Sequence, residues 1–336
     1  MTDKIRWGIL GTGKIARKFA AGLAAVPDAA LVAVGSRTQD SADRFAGLFR
    51  VPHCHGSYEA LAADPDVDAV YIATLHPFHA ANSLFCLNAG KAVLCEKPFT
   101  MNAREAADVI RTARGRKLFL MEAMWTRFLP VVARVREWLR AGAIGEVLML
   151  TADFGFRAEF DRRSRVFDPA LGGGALLDVG IYPISFASMV FGGPPDRIAS
   201  LAHLGQTGVD EEAGIVLGYS GGRLAVLHTA VRVNTPGEAC IMGTAGMIRI
   251  PARFWCATTV SLLAGGNEER IEIPLDGNGY NYEAAEVGRC LREGRLESDV
   301  MPLDESLSIM QTLDRIREQW GLCYPGETMA QSGERG

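Results

Sequence analysis

Short apolar runs alternate with amphipathic stretches over the first third of the chain. Several runs are apolar at every position, which is typical of strands buried on both faces of a sheet, and the stretches between them have helical spacing. The predicted strands are 5–10, 31–36, 69–74, 92–95 and 118–121. The predicted helices are 14–26, 40–49, 77–89 and 102–115. Because strands that alternate with helices are joined by right-handed parallel crossovers, the pattern predicts a doubly wound parallel α/β sheet.

The pattern changes after a predicted helix at 126–141. Strand-like segments then follow one another, separated by turn sequences such as YSGG and GTAG, and this arrangement predicts a large open antiparallel sheet. The segments are 146–156, 196–204, 212–219, 223–232, 238–243, 246–250, 257–264 and 268–274, with helices at 174–191, 281–293 and 304–319. We therefore expect an α/β domain at 1–124, an α+β domain at 125–326 and a flexible tail at 327–336.

Composition excludes several classes of function. The 336 residues are 48% apolar and 22% charged with a net charge of −4, so we expect neither a nucleic acid partner nor an anionic membrane. The seven cysteines form no C-x-x-C motif, which argues against a disulfide framework and predicts a reducing, cytoplasmic location. The N-terminus shows no signal region. The apolar stretch 171–193 carries Asp178, so it is expected to be a buried helix rather than a membrane span.

A glycine-rich turn connects the first predicted strand to the first helix. Gly11, Gly13 and Ala16 form a G-x-G-x-x-A motif, in which the first glycine permits a tight turn and the second lets a pyrophosphate approach the backbone. The N–H groups at the helix start favour an anion. The alternative is a glycine-eased turn that binds nothing. The expected cofactor contacts are Gly11, Thr12, Gly13, Lys14 and Ile15.

The second predicted strand ends in Ser36 and Arg37. An enzyme that uses NAD tends to carry Asp or Glu here, which accepts a hydrogen bond from the ribose 2′-hydroxyl. A carboxylate would repel the 2′-phosphate of NADP, whereas an arginine beside a serine hydroxyl would hold it by charge-assisted hydrogen bonds. The pair therefore favours NADP over NAD. The alternative is that Arg37 is a solvated loop cation.

Polar side chains follow the strand at 69–74. Ligands of doubly wound sheets bind beyond the carboxyl ends of the strands, so this loop is expected beside the cofactor. A metal site is disfavoured there because the two histidines lack acid or thiol ligands at a suggestive spacing. The residues expected at the cofactor are Thr74, Leu75, His76 and His79.

A second pair of histidines, His53 and His55, flanks Cys54. The sequence resembles a metal-binding cluster, but strand alternation would place the thiol on the opposite face from both imidazoles. We therefore expect ordinary strand packing and no metal.

The motif CEKP ends the strand at 92–95 with an acid and a base side by side. Because the residue before a proline is pushed into an extended conformation, Pro98 directs Lys97 out of the strand. This places the ammonium at the same sheet edge as the glycine-rich turn. Glu96 is expected to anchor Lys97 or to bind the cofactor; the alternative is an exposed ion pair.

The stretch LGGGALLDVGIY combines three glycines with an acid and a phenol. Asp178 and Tyr182 are four residues apart, so they would share one face of a helix. Both are costly on an otherwise apolar helix unless they have partners. A tyrosine bonded to an aspartate in the core is the structural alternative. The glycines at 172–174 would let another backbone or a ligand come close.

Other candidates are less specific. Trp125 and Arg127 lie where the first domain joins the second, and we expect them at the cofactor. Phe154, Arg165 and Tyr280 are candidates for the substrate side of the cleft. The alternatives are a solvated loop for Arg165 and simple packing for the aromatic residues.

Together, the strand–GTGKIA–helix start, CEKP and GGGALLDVGIY resemble the Gfo/Idh/MocA (glucose–fructose oxidoreductase/inositol dehydrogenase) family over nearly the whole chain. GSYEAL, HPFHAA, LFLMEAMWTRF and MVFGG are similar to its dimeric dihydrodiol dehydrogenase and NADP-dependent D-xylose 1-dehydrogenase branch. The resemblance implies a Rossmann domain that binds NADP and a C-terminal sheet used for oligomerisation, with a homodimer favoured. It also implies that Lys97, Asp178 and Tyr182 are catalytic, although many relatives have histidine in place of Tyr182.

The implied reaction is hydride transfer between a nicotinamide and a hydroxyl-bearing carbon of a sugar, such as an aldose, or of a trans-dihydrodiol. We expect Tyr182 to exchange the proton, with its pKa lowered by the Lys97 ammonium and the oxidised nicotinamide together. Asp178 would orient Lys97 or the substrate, and Lys97 as the proton donor stays open. Two alternatives remain: a cofactor-binding sensor without catalysis, and a reductase of a non-sugar carbonyl or imine.

Overall fold

The amino-terminal part of the chain forms a parallel sheet. In the computed structural model, which describes residues 4–327, the strands are β1 (Ile5–Leu10), β2 (Ala29–Gly35), β3 (His53–His55), β4 (Ala69–Ile72), β5 (Ala92–Glu96) and β6 (Leu120–Ala123). The helices are α1 (Lys14–Leu23), α2 (Gln39–Phe49), α3 (Tyr58–Ala63), α4 (His79–Asn88) and α5 (Ala103–Arg116). The spatial order of the six strands is β3-β2-β1-β4-β5-β6.

This order positions the site. The chain runs outward from β1 to β3 and then returns to pair β4 with β1, so the loops after β1 and β4 diverge and leave a crevice at the carboxyl edge. β4, β5 and β6 are buried at every position, and their sequences are apolar except for Glu96 and Glu122. The predicted doubly wound sheet is confirmed.

Two short elements in this part of the chain are not predicted from the apolar pattern, although strand alternation was expected at His53–His55. β3 is three residues long and contains two histidines, and α3 has six residues. Elements of this length span too few periods for an apolar repeat to be recognised.

The remaining strands form one large second sheet. They are β7 (Val147–Gly155), β8 (Arg197–Leu204), β9 (Asp210–Gly218), β10 (Leu224–Ala230), β11 (Ala239–Gly243), β12 (Gly246–Ile250), β13 (Thr259–Ala264) and β14 (Asn267–Glu272). The helices are α6 (Pro130–Arg140), α7 (Ile181–Phe191), α8 (Tyr280–Arg292) and α9 (Leu303–Trp320). The order is β14-β13-β12-β11-β7-β10-β9-β8. β7 and β10 are parallel and the other neighbours are antiparallel, which confirms the predicted open, mostly antiparallel sheet.

The two faces of this sheet differ. Ile215 on β9 and Leu227 on β10 are buried, whereas Val216 and Val226, which alternate with them and pair with each other, are exposed. The buried face packs against α7. We call the opposite side the outer sheet face; its exposed large apolar residues are Leu201, Val216, Leu224, Val226 and Met247.

Within residues 4–327, one segment is apolar enough to cross a membrane. It is Pro169–Phe191, which includes α7, and 89% of its apolar stretch is buried inside the protein. This burial agrees with the prediction of a core helix rather than a membrane span.

The predicted tail lies mostly outside the described residues, at 328–336. Its first residue, Glu327, does not belong to a free tail. The Glu327 carboxylate pairs with Arg317 at 2.7 Å and accepts a hydrogen bond from the Asn102 side chain at 2.9 Å. The prediction is therefore wrong for this residue, which has distant partners that composition does not reveal.

Candidate active site

The glycine-rich turn between β1 and α1 is open where an anion would bind. Gly11 has a φ of +108°, and a Cβ there would lie 2.8 Å from the carbonyl oxygen of Ala73, so the turn requires glycine. A Cβ on Gly13 would meet no heavy atom of residues 4–327 within 4 Å. Because α1 begins at Lys14, the N–H groups of Lys14 and Ile15 have no partner within the helix. This geometry can hold a pyrophosphate.

Ser36 and Arg37 lie at the end of β2, beside this turn. The Ser36 hydroxyl is 3.4 Å from the Thr12 hydroxyl. The main-chain N–H of Ser36 donates to the carbonyl of His55 at 3.0 Å. The Arg37 side chain is exposed. The strand therefore ends in a fixed hydroxyl and an accessible guanidinium, with no carboxylate at either position.

The loop after β4 contributes three of the predicted residues to the crevice. Thr74 is half-buried and its hydroxyl accepts a hydrogen bond from Asn82 at 3.0 Å. Leu75 is exposed. His76 lies 3.2 Å, through Nδ1, from the carbonyl oxygen of Gly172. Burial lowers the pKa of His76 to about 3, so this imidazole is neutral and connects the two sheets' loops without carrying charge.

His79 lies behind the crevice rather than in it. The side chain is fully buried, and its ring nitrogens face the carbonyl oxygens of Pro98 at 2.8 Å and Thr74 at 3.1 Å. Burial lowers its pKa. We therefore correct the predicted cofactor contact: His79 braces the loops after β4 and β5 against each other.

Glu96 fixes the main chain where β5 ends. It is buried, accepts a hydrogen bond from the Tyr71 hydroxyl, and accepts another from the N–H of Lys97 at 3.1 Å. Burial raises its pKa to about 7. The predicted anchoring of Lys97 by Glu96 thus occurs through the main chain of the lysine.

The Lys97 ammonium reaches across to the second half of the chain. Nζ donates to the carbonyl oxygen of Asp178 at 2.6 Å and lies 3.4 Å from the Asp178 carboxylate. Arg165 contacts the same carboxylate oxygen at 3.0 Å. Burial opposes ionisation of Asp178, but the charges of Lys97 and Arg165 outweigh it and hold its pKa well below the usual range. Asp178 is therefore a carboxylate held between two cations.

Asp178 lies in a widened, π-helical turn at Leu176–Gly180, not in a regular α-helix. The N–H of Ile181 bonds to the carbonyl five residues earlier. In this register the carbonyl of Asp178 would pair with Pro183, which has no N–H to donate. Lys97 supplies the missing donor. The sequence thus explains why a buried carbonyl oxygen is available to the lysine.

Tyr182 is held by aromatic neighbours. Its hydroxyl oxygen accepts a hydrogen bond from the Trp125 indole at 3.0 Å, and the Lys97 ammonium lies 4.9 Å from its ring centre. Trp125 stacks on Tyr280 at 4.6 Å between ring centres, and the Phe154 ring is 5.4 Å from that of Tyr182. Because the indole uses a lone pair of the phenol, the hydroxyl hydrogen is left for another acceptor.

The protonation of Tyr182 differs from the prediction. Lys97 faces the ring rather than the hydroxyl. Burial, reinforced by the negative charge of Glu96, raises the pKa of Tyr182 well above its ordinary value. The expected lowering is therefore wrong for the protein alone. The phenol therefore stays protonated in the protein.

Within residues 4–327, the Arg127 guanidinium forms its hydrogen bonds with the second half of the chain and not with the residues around Lys97. It is buried and donates to Glu305 at 2.6 Å and to the Ser185 carbonyl at 2.7 Å. These contacts tie the turn Trp125–Phe128 to α7 and α9. The guanidinium thus joins helices, and its contact with the cofactor stays a prediction.

Sequence reasoning missed three buried polar residues around the site. Tyr71 bonds to Glu96, as described above, and a lone phenol in the apolar strand AVYI is a signal that could have found it. Asp210 accepts a hydrogen bond from the N–H of Leu176 at 2.7 Å and lies so close to Gly174 that a Cβ there would overlap it. Glu283 is fully buried, with both carboxylate oxygens unpartnered among residues 4–327.

Two family models match the chain. Residues 5–124 match the oxidoreductase family with an NAD-binding Rossmann fold, GFO_IDH_MocA. Residues 132–249 match the GFO/IDH/MocA C-terminal domain. Together these regions cover more than half of the sequence.

Individual relatives match along almost the full length. The trans-1,2-dihydrobenzene-1,2-diol dehydrogenase of Danio rerio is 42% identical over 95% of this chain and 98% of its own. The Homo sapiens enzyme of that name is 40% identical over 96% and 98%. A crystal structure of KijD10, a 3-ketoreductase from Actinomadura kijaniata in complex with NADP and TDP-benzene, superposes with a TM-score of 0.83, 27% identity, and coverage of 94% of this chain and 98% of that one.

Proposed function

The chain belongs to the Gfo/Idh/MocA family of oxidoreductases, and we propose that it is an NADP(H)-dependent dehydrogenase acting on a hydroxyl-bearing carbon of a trans-dihydrodiol or a sugar. The observation that carries the proposal is the convergence of Lys97, Asp178 and Tyr182 at the carboxyl edge of the parallel sheet. A sensor without catalysis would not need a buried ammonium, carboxylate and phenol in one cluster.

The crevice residues fit a dinucleotide with a 2′-phosphate. The open space at Gly13 and the start of α1 accommodate a pyrophosphate, and Ser36 and Arg37 offer a hydroxyl and a guanidinium to the phosphate. When bound, the nicotinamide would supply or accept the hydride. The similarity to a 3-ketoreductase crystallised with NADP supports the choice of cofactor.

We assign the proton to Tyr182. In reduction the Tyr182 hydroxyl, oriented by Trp125, gives its proton to the substrate oxygen and becomes a phenolate, which is reprotonated from solvent. In oxidation the steps run in reverse: Tyr182 first loses its proton to solvent, and the phenolate then receives the proton of the substrate hydroxyl. Lys97 adds positive charge where an oxyanion develops, and Asp178 holds the ammonium in place. General acid–base catalysis of this kind contributes roughly 10²–10⁴-fold.

The surroundings of Tyr182 favour a ring-shaped substrate with polar groups on one side. Phe154 stacks on Trp255 at 3.4 Å between ring centres and lies beside Tyr182, which gives an aromatic wall. Arg165 is half-exposed and binds the Asp178 carboxylate, which gives a charged side. A cyclic diol or a sugar ring presents these two kinds of surface, and the names of the relatives support the same class.

The test is an assay of NADP⁺ reduction, monitored by the absorbance of NADPH. The substrates are trans-1,2-dihydrobenzene-1,2-diol, D-xylose and D-glucose. The reverse reaction is measured with non-sugar ketones, and each assay is repeated with NAD⁺ or NADH. Turnover with NADP⁺ and one of the diols or aldoses is expected. Tight NADPH binding without turnover of any substrate would contradict the proposal and favour a cofactor-binding sensor without catalysis. Turnover of the ketones alone would favour a reductase of non-sugar carbonyls.

We further propose that the protein is a homodimer joined through the outer sheet face and works in a reducing, cytoplasmic compartment. The exposed apolar row on β9, β10 and β12 is a large surface for a monomer to leave in water. The seven cysteines are free thiols, which supports the compartment.

A further inference from the structure

The edge strand of the parallel sheet carries a cluster of metal-binding side chains that lies outside the catalytic cluster. His53 and His55 are two residues apart on β3 and project to the same side. Asp64, which ends α3, faces both: its Oδ2 is 2.7 Å from Nδ1 of His53 and 2.9 Å from Nε2 of His55. The three donor atoms lie within 4.8 Å of one another. We propose that His53, His55 and Asp64 bind a divalent transition-metal ion of the zinc class.

The donor set and its spacing fit such an ion. Zinc takes imidazole nitrogen and carboxylate oxygen at about 2.0–2.2 Å in tetrahedral geometry, so neighbouring ligand atoms are about 3.3 Å apart. The two nitrogen-to-oxygen distances would therefore open by only about half an ångström. Both imidazoles now converge on one carboxylate oxygen, and the ion would replace the hydrogens between them. The exposed fractions of the two imidazoles, 37% and 22%, leave an entry path and room for a water ligand.

The carboxylate is fixed in the orientation that the ion needs. Asp64 is buried, and its other oxygen, Oδ1, accepts a hydrogen bond from the N–H of Asp66 at 2.9 Å. The Asp66 carboxylate lies 3.9 Å from the second nitrogen of His53, so it adds negative charge beside the site without a hydrogen bond to the imidazole.

Neighbouring cations do not neutralise the Asp64 carboxylate. Arg6 pairs with Asp66 at 2.9 Å and with Asp68 at 2.8 Å. Lys91 donates to main-chain carbonyl oxygens, those of Asp64 at 2.6 Å and Val67 at 2.8 Å. The Asp64 side chain is thus left to the two imidazoles.

Sequence alternation and the structure agree on why the adjacent thiol takes no part. Cys54 lies between the two histidines on β3 and therefore points to the other face of the strand. The sequence did not predict the site because its third donor, Asp64, follows a short helix that the apolar pattern does not reveal.

The direct test is calorimetric titration of the full-length, chelator-treated protein with Zn²⁺. We expect one ion per chain. His53→Gln and His55→Gln should each weaken binding by about a hundredfold or more, since even outer-shell partners cost 10–100-fold. Two matched controls, Cys54→Ser and His203→Gln on β8, should bind as the parent does. Mg²⁺, which prefers oxygen ligands, should not compete.

Two further readouts separate loss of the site from loss of the fold. In the absence of metal, His53→Gln should melt close to the parent, while the rise in Tm that Zn²⁺ gives the parent should disappear. With Co²⁺, the parent should show tetrahedral d–d absorption without thiolate charge transfer. Unchanged affinity in the His53→Gln/His55→Gln double variant, or loss of binding in Cys54→Ser, would overturn the proposal.

Discussion

At the scale of single residues, the choice between NADP and NAD depends on two positions at the end of β2. The Ser36 hydroxyl is buried beside Thr12, while the Arg37 guanidinium is exposed and free to move onto a phosphate. The 2′-phosphate of NADP would accept charge-assisted hydrogen bonds from the Arg37 guanidinium. The neutral 2′-hydroxyl of NAD offers no charged acceptor for such bonds.

Arg37→Ala is therefore expected to lower kcat/KM for NADP by about 10- to 150-fold, since hydrogen bonds to charged groups are worth about 1.5–3 kcal/mol. Activity with NAD should hardly change. The control is Arg44→Ala, which removes an exposed arginine on α2 and changes the net charge by the same amount. It should leave kcat/KM for both cofactors unchanged. An equal loss with the two cofactors would contradict the assigned contact.

Single residues also show where sequence reasoning stops. Lys97, Asp178 and Tyr182 could be selected because a charge or a phenol in an apolar run needs a partner or a purpose. Arg127 was selected for its place at the domain junction, and its partners, Ser185 and Glu305, are far away in sequence. Only the tertiary structure distinguishes a polar group that faces a cleft from one that joins helices.

At the scale of elements, long periodic segments were predictable and local departures from regularity were not. Apart from β3 and the polar β14, the strands of both sheets follow their apolar patterns closely. The widened turn at Leu176–Gly180 was predicted as ordinary helix, because its apolar spacing does not differ from that of an α-helix. Pro183 was the available signal, since it leaves a carbonyl without a helical donor.

α8 carries an acid whose ionisation opposes folding. Burial raises the pKa of Glu283 well above its ordinary value, and the charge of Glu96 adds to the effect. The folded state therefore holds a proton that the unfolded state loses above about pH 4.3, so the free energy of unfolding falls as the pH rises through the neutral range. Glu283→Gln removes this penalty. Its free energy of unfolding should exceed that of the parent increasingly from pH 5 to pH 8, by up to about 1.4 kcal/mol per pH unit.

Glu286, one turn further along α8, should behave in the opposite way. Burial opposes its ionisation, but hydrogen bonds from Arg289 and Ser298 outweigh burial and lower its pKa. The ionised Glu286 stabilises the fold at pH values above the pKa that this glutamate has in the unfolded chain. That stabilisation is lost as the pH falls through its lower pKa in the folded protein. In urea unfolding, Glu286→Gln should cost stability at pH 7 and little at pH 3. The same pH slope in both variants would contradict this reading of α8.

At the scale of the whole molecule, the parallel sheet supplies the cofactor edge and the large sheet supplies both the aromatic wall and the outer sheet face. The sequence predicted both sheets because each is specified by repeated local patterns. It could not predict which face of the second sheet is left uncovered, since that depends on where α7 packs.

The outer sheet face predicts the oligomeric state. Placing a charge in its centre, with Val226→Lys, should convert a dimer to a monomer, because an unpaired ammonium would be buried in the apolar interface. Light scattering coupled to gel filtration measures the mass directly. Leu48→Lys, at an exposed apolar residue on α2, is the control and should stay dimeric. A parent protein that is monomeric at micromolar concentration would exclude the interface.

The most direct test of the catalytic assignment is the steady-state kinetics of Tyr182→Phe, measured together with NADPH affinity by fluorescence titration. We expect kcat to fall roughly 10²- to 10⁴-fold while NADPH affinity and Tm stay near those of the parent. Tyr219→Phe, another buried tyrosine away from Lys97, is the matched control and should keep full activity. Unchanged turnover in Tyr182→Phe, or loss of NADPH binding with turnover, would contradict the role of Tyr182 as the proton donor.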